Sequence, residues 1–493
     1  MKKVGFDNEL YMKLTLEEII SRKEKFNNKI YLEIGGKLFD DFHASRVLPG
    51  FKYNSKINVL KSLASQTEVI LCISAKDIER HKQREDYNIS YETDIFRLID
   101  KIRENELLVT GVVITQYESQ SSSDELIQKL NINGIKTFKH YFTKGYPTDI
   151  DAVVSEEGYG KNDYIETTKP IVVVTAPGPG SGKLATCLSQ LYHEQKKGIV
   201  SGYAKFETFP VWDLPLNHPV NYAYEAATAD LKDVNMIDPY YMQEYNKVAV
   251  NYNRDIEVFP VLKVILRAIL KDDIYSSPTD MGINCVGKAI TNDEVVRIAS
   301  KNEIIRRYYK SLVECKEGKC SKDAAERIKV IMNNLEIDVN SRKVVLEANK
   351  KKEKRGTHSM AIELESGKVI AGRTTDLMTA PAACVLNALK YLSKLDEDVH
   401  IISPLVLEPM IKLKKRLYNG NVCLNLNEIL LSLSINAATN PIIDNLLNKL
   451  DNLRDCEAHA TYILSSSDSS LLKRIGVNYT TDAVYPTDNL YNE

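Results

Sequence analysis

The sequence has no apolar run long enough for a membrane-spanning helix, and its charges are balanced. No stretch approaches the ~18 consecutive apolar residues that cross a bilayer. The first ten residues, MKKVGFDNEL, lack the apolar core of a secretory signal peptide. The 65 Lys and Arg residues nearly match the 67 Asp and Glu residues, for a formal net charge of −2. We therefore expect a cytoplasmic protein whose partners include neither nucleic acid nor a membrane.

The eight cysteines are scattered and form no metal-binding pattern. They include no C-x-x-C pair, and no histidine follows Cys315 and Cys320 at a zinc-binding spacing. Most lie within apolar segments, as small buried hydrophobes do in a protein from a reducing compartment. We predict no metal site from these residues.

Two peptidase motifs are also missing. A zinc peptidase of the H-E-x-x-H type needs two histidines one helical turn apart, but His193-Glu194 is followed by Gln195, Lys196 and Lys197. The sequence contains no G-x-S-x-G nucleophile elbow either. By motif, the chain is neither a zinc peptidase nor a serine peptidase.

The most informative stretch that is present runs from residue 171 to residue 191, IVVVTAPGPGSGKLATCLSQL. Its first four residues are β-branched and predict a buried parallel strand. The Gly- and Pro-rich segment cannot continue that strand, and a helix is predicted to begin near Lys183. Such a unit directs backbone N–H groups and a helix N-terminus at one point, which favours an anion such as phosphate. The predicted ligand-binding residues are Gly178, Gly180, Ser181, Gly182 and Lys183.

This loop departs from the P-loop pattern at both ends. When Gly182-Lys183 is aligned with the motif, Pro177 occupies the first position and Leu184 replaces the hydroxyl residue that ligates Mg²⁺. Thr186 lies about 200° around the helix from that position, and Asp238 is a weak candidate for a second metal anchor. We predict that this loop binds a phosphate group or a nucleotide. The departures from the motif favour binding of the phosphate group over binding of Mg²⁺. A purely structural turn is the alternative.

A Pro-rich stretch after the next predicted strand carries the candidate catalytic residues. Residues 205–239 contain four prolines and the single tryptophan without being of low complexity, which is typical of an ordered irregular segment that lines a site. Lys205, His218 and Asp230 are residue types that transfer protons or hold a second charged group. We assign these three as candidate catalytic residues; a hydrogen-bonded loop histidine is the alternative for His218.

A second glycine turn, Gly35-Gly36, follows the first predicted strand. The residues after it form a polar cluster of two carboxylates, an imidazole and a guanidinium, namely Asp40, Asp41, His43 and Arg46. This cluster suits a metal-bound phosphate or acid–base chemistry. An exposed helix start explains the same residues equally well.

Alternating predicted strands and helices indicate an α/β fold. Strands are predicted at 30–34, 67–74, 107–115, 135–139, 151–154, 171–174 and 199–205, with helices between most of them. We predict a Rossmann-like or P-loop-like, mostly parallel sheet within residues 1–290. A helical connector is predicted over 291–356 and a smaller C-terminal α/β domain over 357–493. That domain contains a predicted hairpin at 359–364 and 369–373 and a strand-like IISP at 401–404.

Four blocks spread over the chain resemble a known family. They are residues 32–51, 175–194, 205–231 and 456–468, beginning LEIGGKLFDD, TAPGPGSGKL, KFETFPVWDL and CEAHATYILS. Together they are similar to a family of bacterial proteins of about this length, catalogued as domain of unknown function 1846. The resemblance implies an α/β fold with more than one domain. Some members carry an ATP-dependent peptidase label, and the missing motifs described above give its peptidase half no support.

We therefore predict a multidomain enzyme that binds a phosphorylated metabolite or a nucleotide. Lys183 and the glycine N–H groups would hold the phosphate, and the Pro-rich stretch would supply proton transfer or a second clamp. Two alternatives stay open. One is a ligand-binding or regulatory protein without catalysis, and the other is a structural homo-oligomer without an anion site.

Overall fold

The computed structural model describes residues 4–84, 87, 89–396, 398–417 and 422–487. The chain divides into two compact units. We call residues 4–225 and 233–300 the N-terminal unit, and residues 1–3, 226–232 and 301–493 the C-terminal unit.

The N-terminal unit is built on a parallel sheet. Its strands are β1 (Ile30–Ile34), β2 (Thr67–Ser74), β3 (Gln83–Arg84), β4 (Ile89–Ser90), β5 (Leu108–Tyr117), β6 (Thr137–Tyr141), β7 (Ile171–Thr175), β8 (Gly202–Phe206), β9 (Asn235–Ile237), β10 (Val250–Tyr252) and β11 (Gly282–Ile283). Seven of them form one sheet in the order β11-β8-β1-β7-β2-β5-β6, and every pair in it is parallel. β3 pairs with β4, and β9 with β10, as separate antiparallel ribbons.

The centre of this sheet is buried on both faces. Every residue of β1, β2 and β7 is buried, as the apolar and β-branched runs in their sequences predict for central parallel strands. The α/β fold class with a mostly parallel sheet is therefore confirmed.

The chain leaves neighbouring strands β1 and β7 in opposite directions. From β1 it passes β7 to reach β2, whereas from β7 it passes β1 to reach β8. In open parallel sheets, ligands bind outside the carboxyl ends of the strands at such a switch point. The glycine-rich loop follows β7, so it lies at this position.

Helices cover the sheet of the N-terminal unit. They are α1 (Asn8–Lys25), α2 (Phe42–Val47), α3 (Ser55–Lys61), α4 (Ala75–Glu79), α5 (Tyr91–Glu104), α6 (Ser121–Ile132), α7 (Ile150–Val153), α8 (Lys183–Lys196), α9 (Pro219–Ala227), α10 (Pro239–Tyr245), α11 (Asn253–Leu270) and α12 (Pro278–Met281). The strand predicted at 151–154 is wrong, because this segment forms α7. Asp149 caps that helix by accepting a hydrogen bond from the Ala152 N–H, and a helix of four residues is too short to show a helical period in its sequence.

The C-terminal unit has a smaller sheet of its own. Its strands are β12 (Ser359–Glu363), β13 (Val369–Arg373), β14 (Glu457–Ala460) and β15 (Asn478–Thr481), in the order β13-β12-β14-β15. β12 and β13 form the predicted hairpin, and β14 pairs with β15 in parallel.

Helices also account for most of the C-terminal unit. They are the later part of α13 (Asp293–Lys316), then α14 (Lys322–Asn334), α15 (Lys343–Arg355), α16 (Ala380–Leu392), α17 (Pro404–Leu417), α18 (Leu426–Ala437), α19 (Pro441–Leu447) and α20 (Ser466–Ile475). The strand-like segment at 401–404 is wrong: Ile401 and Ile402 join the core as irregular backbone, and Pro404 begins α17. Among the described residues, no helix has the length and apolarity needed to cross a membrane.

Candidate functional site

The glycine-rich loop after β7 is held in one conformation by its neighbours. Gly180 and Gly182 have φ angles of 75° and 82°, a left-handed conformation that favours glycine. The Thr115 hydroxyl donates to the Ser181 carbonyl at 2.9 Å, and the Ser181 hydroxyl donates to the Gly178 carbonyl at 2.9 Å. α8 then begins at Lys183, as predicted.

The loop presents backbone donors that the protein does not use. In the described part of the chain, no group accepts a hydrogen bond from five backbone N–H groups, those of Gly178, Gly180, Ser181, Gly182 and Lys183. These donors surround the N-terminus of α8, where the helix dipole adds partial positive charge. The loop therefore has the geometry of an anion site.

Two lysines add positive charge beside these donors. Lys183 makes no ion pair with any described carboxylate. Lys56, from α3, is only 2% exposed, and its ammonium donates to the Gly35 carbonyl at 2.8 Å and lies 3.5 Å from Asp41 Oδ2. Burial lowers the pKa of Lys56, Asp41 and Glu207 raise it, and the ammonium of Lys183 lowers it further. The Lys183 ammonium is thus one of the charges that act on Lys56, and Asp41 and Glu207 oppose its effect.

A buried charge cluster follows β8, two strands from β7. Lys205 Nζ lies 2.6 Å from Glu207 Oε1 and 2.6 Å from Asp255 Oδ2, so two carboxylates share one ammonium. Burial raises the pKa of Glu207 to about 7; Lys205 lowers it and Asp255 raises it. Burial also opposes the charge of Lys205, but Asp255 and Glu207 hold its pKa well above its usual value. At neutral pH this cluster contains a carboxyl group that is ready to gain or lose a proton.

The second glycine turn packs against this cluster. A Cβ atom on Gly35 would lie 2.7 Å from Glu207 Cγ, so only glycine leaves room for the glutamate side chain. Asp41 caps α2 by accepting from the Ala44 N–H, and Asp40 forms an ion pair with Arg97 at 3.1 Å. The polar cluster after this turn therefore has structural partners and also contributes Asp41 to the surroundings of Lys56.

His43 and Arg46, the other two residues of that cluster, lie in α2. The His43 ring packs edge-on against Phe209 and Tyr224, with ring centroids 5.2 and 5.6 Å apart. Arg46 lies in the last turn of the helix. His43 thus connects α2 to the segment that follows Glu207.

The three candidate catalytic residues occupy different environments. Lys205 belongs to the charge cluster described above. His218 is buried and already has partners at both ring nitrogens, because Nδ1 accepts from the Val220 N–H at 3.2 Å and Nε2 lies 2.8 Å from Asp293 Oδ1. Asp230 lies in a short 3₁₀ turn, residues 229–231, that belongs to the C-terminal unit. The catalytic roles of all three stay predictions.

Lys56 and Glu207 were not among the predicted site residues. Lys56 sits in the segment SKINVLK, which matches no motif, and lysines are rarely buried. Glu207 had a usable signal, because it directly follows a predicted parallel strand and the carboxyl ends of such strands share one edge.

The residues around the loop do not supply the magnesium ligands of a P-loop. Leu184 is half-buried, and the Thr186 hydroxyl is buried, where it accepts from Cys72 Sγ at 3.4 Å. Asp238 caps α10 and accepts from the Thr279 hydroxyl at 2.6 Å, so it is not directed at the loop. Nowhere in the described ranges do three or more His, Cys, Asp or Glu side chains form a group that could hold a metal ion.

Comparisons with known proteins cover the whole chain. Residues 4–336 match the family model described as "Domain of unknown function DUF1846, N-terminal", and residues 340–491 match its C-terminal counterpart. A UPF0371 protein of Clostridium botulinum is 54% identical over 499 residues, which is 99% of each chain. UPF0371 proteins of Fusobacterium nucleatum and Clostridioides difficile are 53% and 52% identical, again over 99% of each chain. The chain therefore belongs to the DUF1846 family.

Proposed function

We propose that this protein is an enzyme that binds a phosphorylated metabolite or nucleotide through residues 178–183. One observation carries the proposal. Among the described residues, nothing accepts from five backbone N–H groups around a helix N-terminus, and no carboxylate pairs with the nearby ammonium of Lys183. A phosphate group would accept these hydrogen bonds and pair with the ammonium.

The lysines argue against a purely structural turn. Burying Lys56 near Lys183 costs free energy, because burial disfavours the charged form of Lys56 and the positive charge of Lys183 repels it. A turn that only connects a strand to a helix needs neither cation. A bound dianion would offset the repulsion between them, so the arrangement is understandable if an anion occupies the loop.

The charge cluster supports chemistry as well as binding. Glu207 titrates near neutral pH and lies beside Lys205, so the pair can move a proton or orient a second part of the ligand. Gly35 places Glu207 against the turn after β1, and β1 is the strand next to β7, which the loop follows. This arrangement favours an enzyme over a protein that only binds a ligand.

Isothermal titration tests the binding step. We would titrate the protein with inorganic phosphate, a hexose phosphate, AMP and ATP, using wild type, Lys183→Ala and a control, Lys196→Ala. Lys196 is an exposed cation at the other end of the same helix. We expect Lys183→Ala to weaken binding at least ~10-fold, since a charge-assisted hydrogen bond is lost, and Lys196→Ala to leave it unchanged. Wild type that binds none of these anions would overturn the proposal.

A turnover assay separates an enzyme from a binding protein. A ligand that passes the titration would be incubated with the protein, and the products would be followed by mass spectrometry. Conversion by wild type that is lost in Lys205→Ala supports catalysis. Tight binding with no conversion of any bound phosphate compound would favour the non-catalytic alternative.

A further inference from the structure

We propose that Glu207 takes up a proton when a phosphate monoester binds at residues 178–183, so that ligand and proton bind together. This inference rests on the proposed function and specifies how the charge cluster responds to the ligand. It is argued from the position of Glu207, its charged neighbours and the charge of the ligand.

Glu207 directly follows Phe206, the last residue of β8, and β8 lies between β11 and β1 in the sheet. Its backbone N–H donates to the Ile283 carbonyl at 3.0 Å, which continues the pairing of β8 with β11. Its side chain lies on the β1 side, over Gly35, which directly follows β1. Because β8 and β7 are both neighbours of β1, their carboxyl ends are about 10 Å apart.

Two carboxylates compete for one ammonium in this cluster. The Glu207 side chain is 6% exposed, the Asp255 side chain is 32% exposed, and both lie 2.6 Å from Lys205 Nζ. One positive charge cannot fully stabilise two carboxylates, and the more buried one gains more from being neutral. Proton uptake should therefore occur on Glu207.

Charged and titratable groups from several elements act on Glu207. They are Glu33 from β1, Lys56 from α3, Lys205 from β8, Asp255 from α11, and the phenols of Tyr224 from α9 and Tyr252 from β10. Burial raises the pKa of both tyrosines, so both are neutral at pH 7. The ammonium groups of Lys56 and Lys205 then oppose the carboxylates of Glu33 and Asp255. Burial raises the pKa of Glu207 to about 7.

A bound dianion changes this balance. At residues 178–183, such a ligand would place two negative charges about two strand spacings from the end of β8. Nearby negative charge favours the neutral carboxyl group, so the fraction of Glu207 that is protonated rises on binding. By linkage, lower pH should then strengthen binding across the neutral range. If binding moves the pKa of Glu207 by one unit, the affinity at pH 6 exceeds that at pH 8 about fivefold.

Titration with sulfate measures this coupling directly. Sulfate is a dianion throughout pH 6–8, so any proton taken up must bind to the protein rather than to the probe. Heats of binding would be measured at pH 7 in buffers of different ionisation enthalpy. The slope of the observed binding enthalpy against the ionisation enthalpy of the buffer gives the number of protons bound. For wild type we expect about 0.3–0.5 proton per sulfate, because a group with a pKa near 7 is half protonated at that pH.

Three variants locate the proton. Glu207→Gln should bind sulfate with no buffer dependence, because the amide cannot titrate. Asp255→Asn should also reduce the number of protons taken up per sulfate. Lys205 then pairs with Glu207 alone, and the Glu207 carboxylate stays ionised. Glu156→Gln, an exposed carboxylate elsewhere in the N-terminal unit, is the control and should behave as wild type. Thermal denaturation would check that each variant is folded.

The outcomes separate this inference from the proposed function. The proton coupling would be overturned if wild type binds sulfate with a heat that does not depend on the buffer. It would also be overturned if the dependence on the buffer persists in Glu207→Gln. Neither result would contradict the proposed anion site. Wild type that binds no sulfate and none of the phosphate compounds would overturn both.

Discussion

Gly178 and Gly180 lie two residues apart in the loop, but a methyl group would meet different surroundings at each. At Gly178 it would lie 2.0 Å from the Tyr91 hydroxyl, whereas at Gly180 it would meet no atom within 4 Å. Tyr91 is buried at the start of α5, so it cannot simply move into solvent. The absence of a side chain at Gly178 therefore sets how closely the loop approaches α5.

We expect Gly178→Ala to weaken anion binding about tenfold or more. The loop must shift away from Tyr91, so its backbone N–H groups no longer point at one position. Gly180→Ala is the matched variant. It keeps its N–H and has space, and it costs about 1 kcal/mol for its left-handed conformation. Titration with sulfate, together with melting temperatures, compares the two. Equal losses of affinity in both variants would contradict this account of the loop.

His140, on β6, gives the fold a dependence on pH. Burial lowers its pKa from 6.5 to about 4, and its Nε2 lies 3.2 Å from the Asp163 carbonyl. Because the folded pKa lies below the unfolded one, the stabilising contribution is present above about pH 6.5 and is lost as pH falls toward 4. Between pH 7 and pH 5 the expected loss is about 2 kcal/mol.

The variant His140→Gln tests this pH dependence. Urea denaturation at pH 7 and pH 5 would be measured for wild type and for the variant. We expect the difference in unfolding free energy between the two proteins to narrow at pH 5, because glutamine does not titrate. A difference that stays constant over this range would show that His140 does not titrate as its burial requires.

At the scale of elements, the unit of β7, loop and α8 has the backbone donors proposed to bind an anion, but it lacks a hydroxyl residue at the P-loop position that ligates Mg²⁺. Leu184 stands where the hydroxyl residue would be, and Thr186 faces Cys72 instead. We therefore expect anion affinity to change by less than about twofold when EDTA replaces Mg²⁺, since no P-loop metal ligand is present. Titration of AMP and ATP in each condition measures this. A large loss of ATP affinity in EDTA would show that a metal ion takes part in binding.

α8 is attached to the sheet by one buried ion pair. Glu194 is fully buried and lies 2.5 Å from Lys29 Nζ, and its Oε1 accepts from the Tyr31 hydroxyl at 2.7 Å. Removing one partner of such a pair leaves a charge with poor solvation. Glu194→Ala should therefore lower the unfolding free energy by about 3 kcal/mol.

The same helix provides the control for that prediction. Lys196 pairs with Glu156 at 3.1 Å, and both side chains are largely exposed. We expect Glu156→Ala to cause a much smaller loss, because solvent screens this pair. Chemical denaturation of both variants gives the comparison. Losses of similar size would mean that burial does not set the strength of these pairs.

At the scale of the whole molecule, a short segment belongs to a different unit from the residues on either side of it in the sequence. Residues 226–232 belong to the C-terminal unit, where the turn at 229–231 packs against α14. The residues before and after it belong to the N-terminal unit. This segment is too short to have a core, so its order depends on α14.

Limited trypsin digestion tests this dependence at Lys232. We expect cleavage after Lys232 to be about tenfold faster in a fragment of residues 4–300 than in the full chain, because the fragment lacks α14 and local opening becomes easier. Cleavage after Lys271, at the end of α11, serves as the internal reference. Equal rates at Lys232 in both would show that the segment is ordered without the C-terminal unit.

The sequence by itself determined the class of fold and the element at its centre. Runs such as IVVVT and TEVILCIS are apolar along both faces, so they predict buried parallel strands before any contact is known. The glycines and prolines after residue 175 predict the turn for an equally local reason. The four blocks of resemblance named the family that the full-length comparison confirms.

Only the tertiary structure decided which charges meet at that turn. Lys56 and Glu207 lie far from residue 183 in sequence, and each is brought to the sheet edge by the order of the strands. Asp230 and His218 lie within the same predicted stretch as Lys205 but have other partners. Local patterns depend on the period and volume of neighbouring residues, whereas burial of a charge and its pKa depend on partners from distant strands. For that reason the sequence predicted the glycine-rich turn and the start of α8 at Lys183, but it did not predict the partners of Lys205 in the charge cluster.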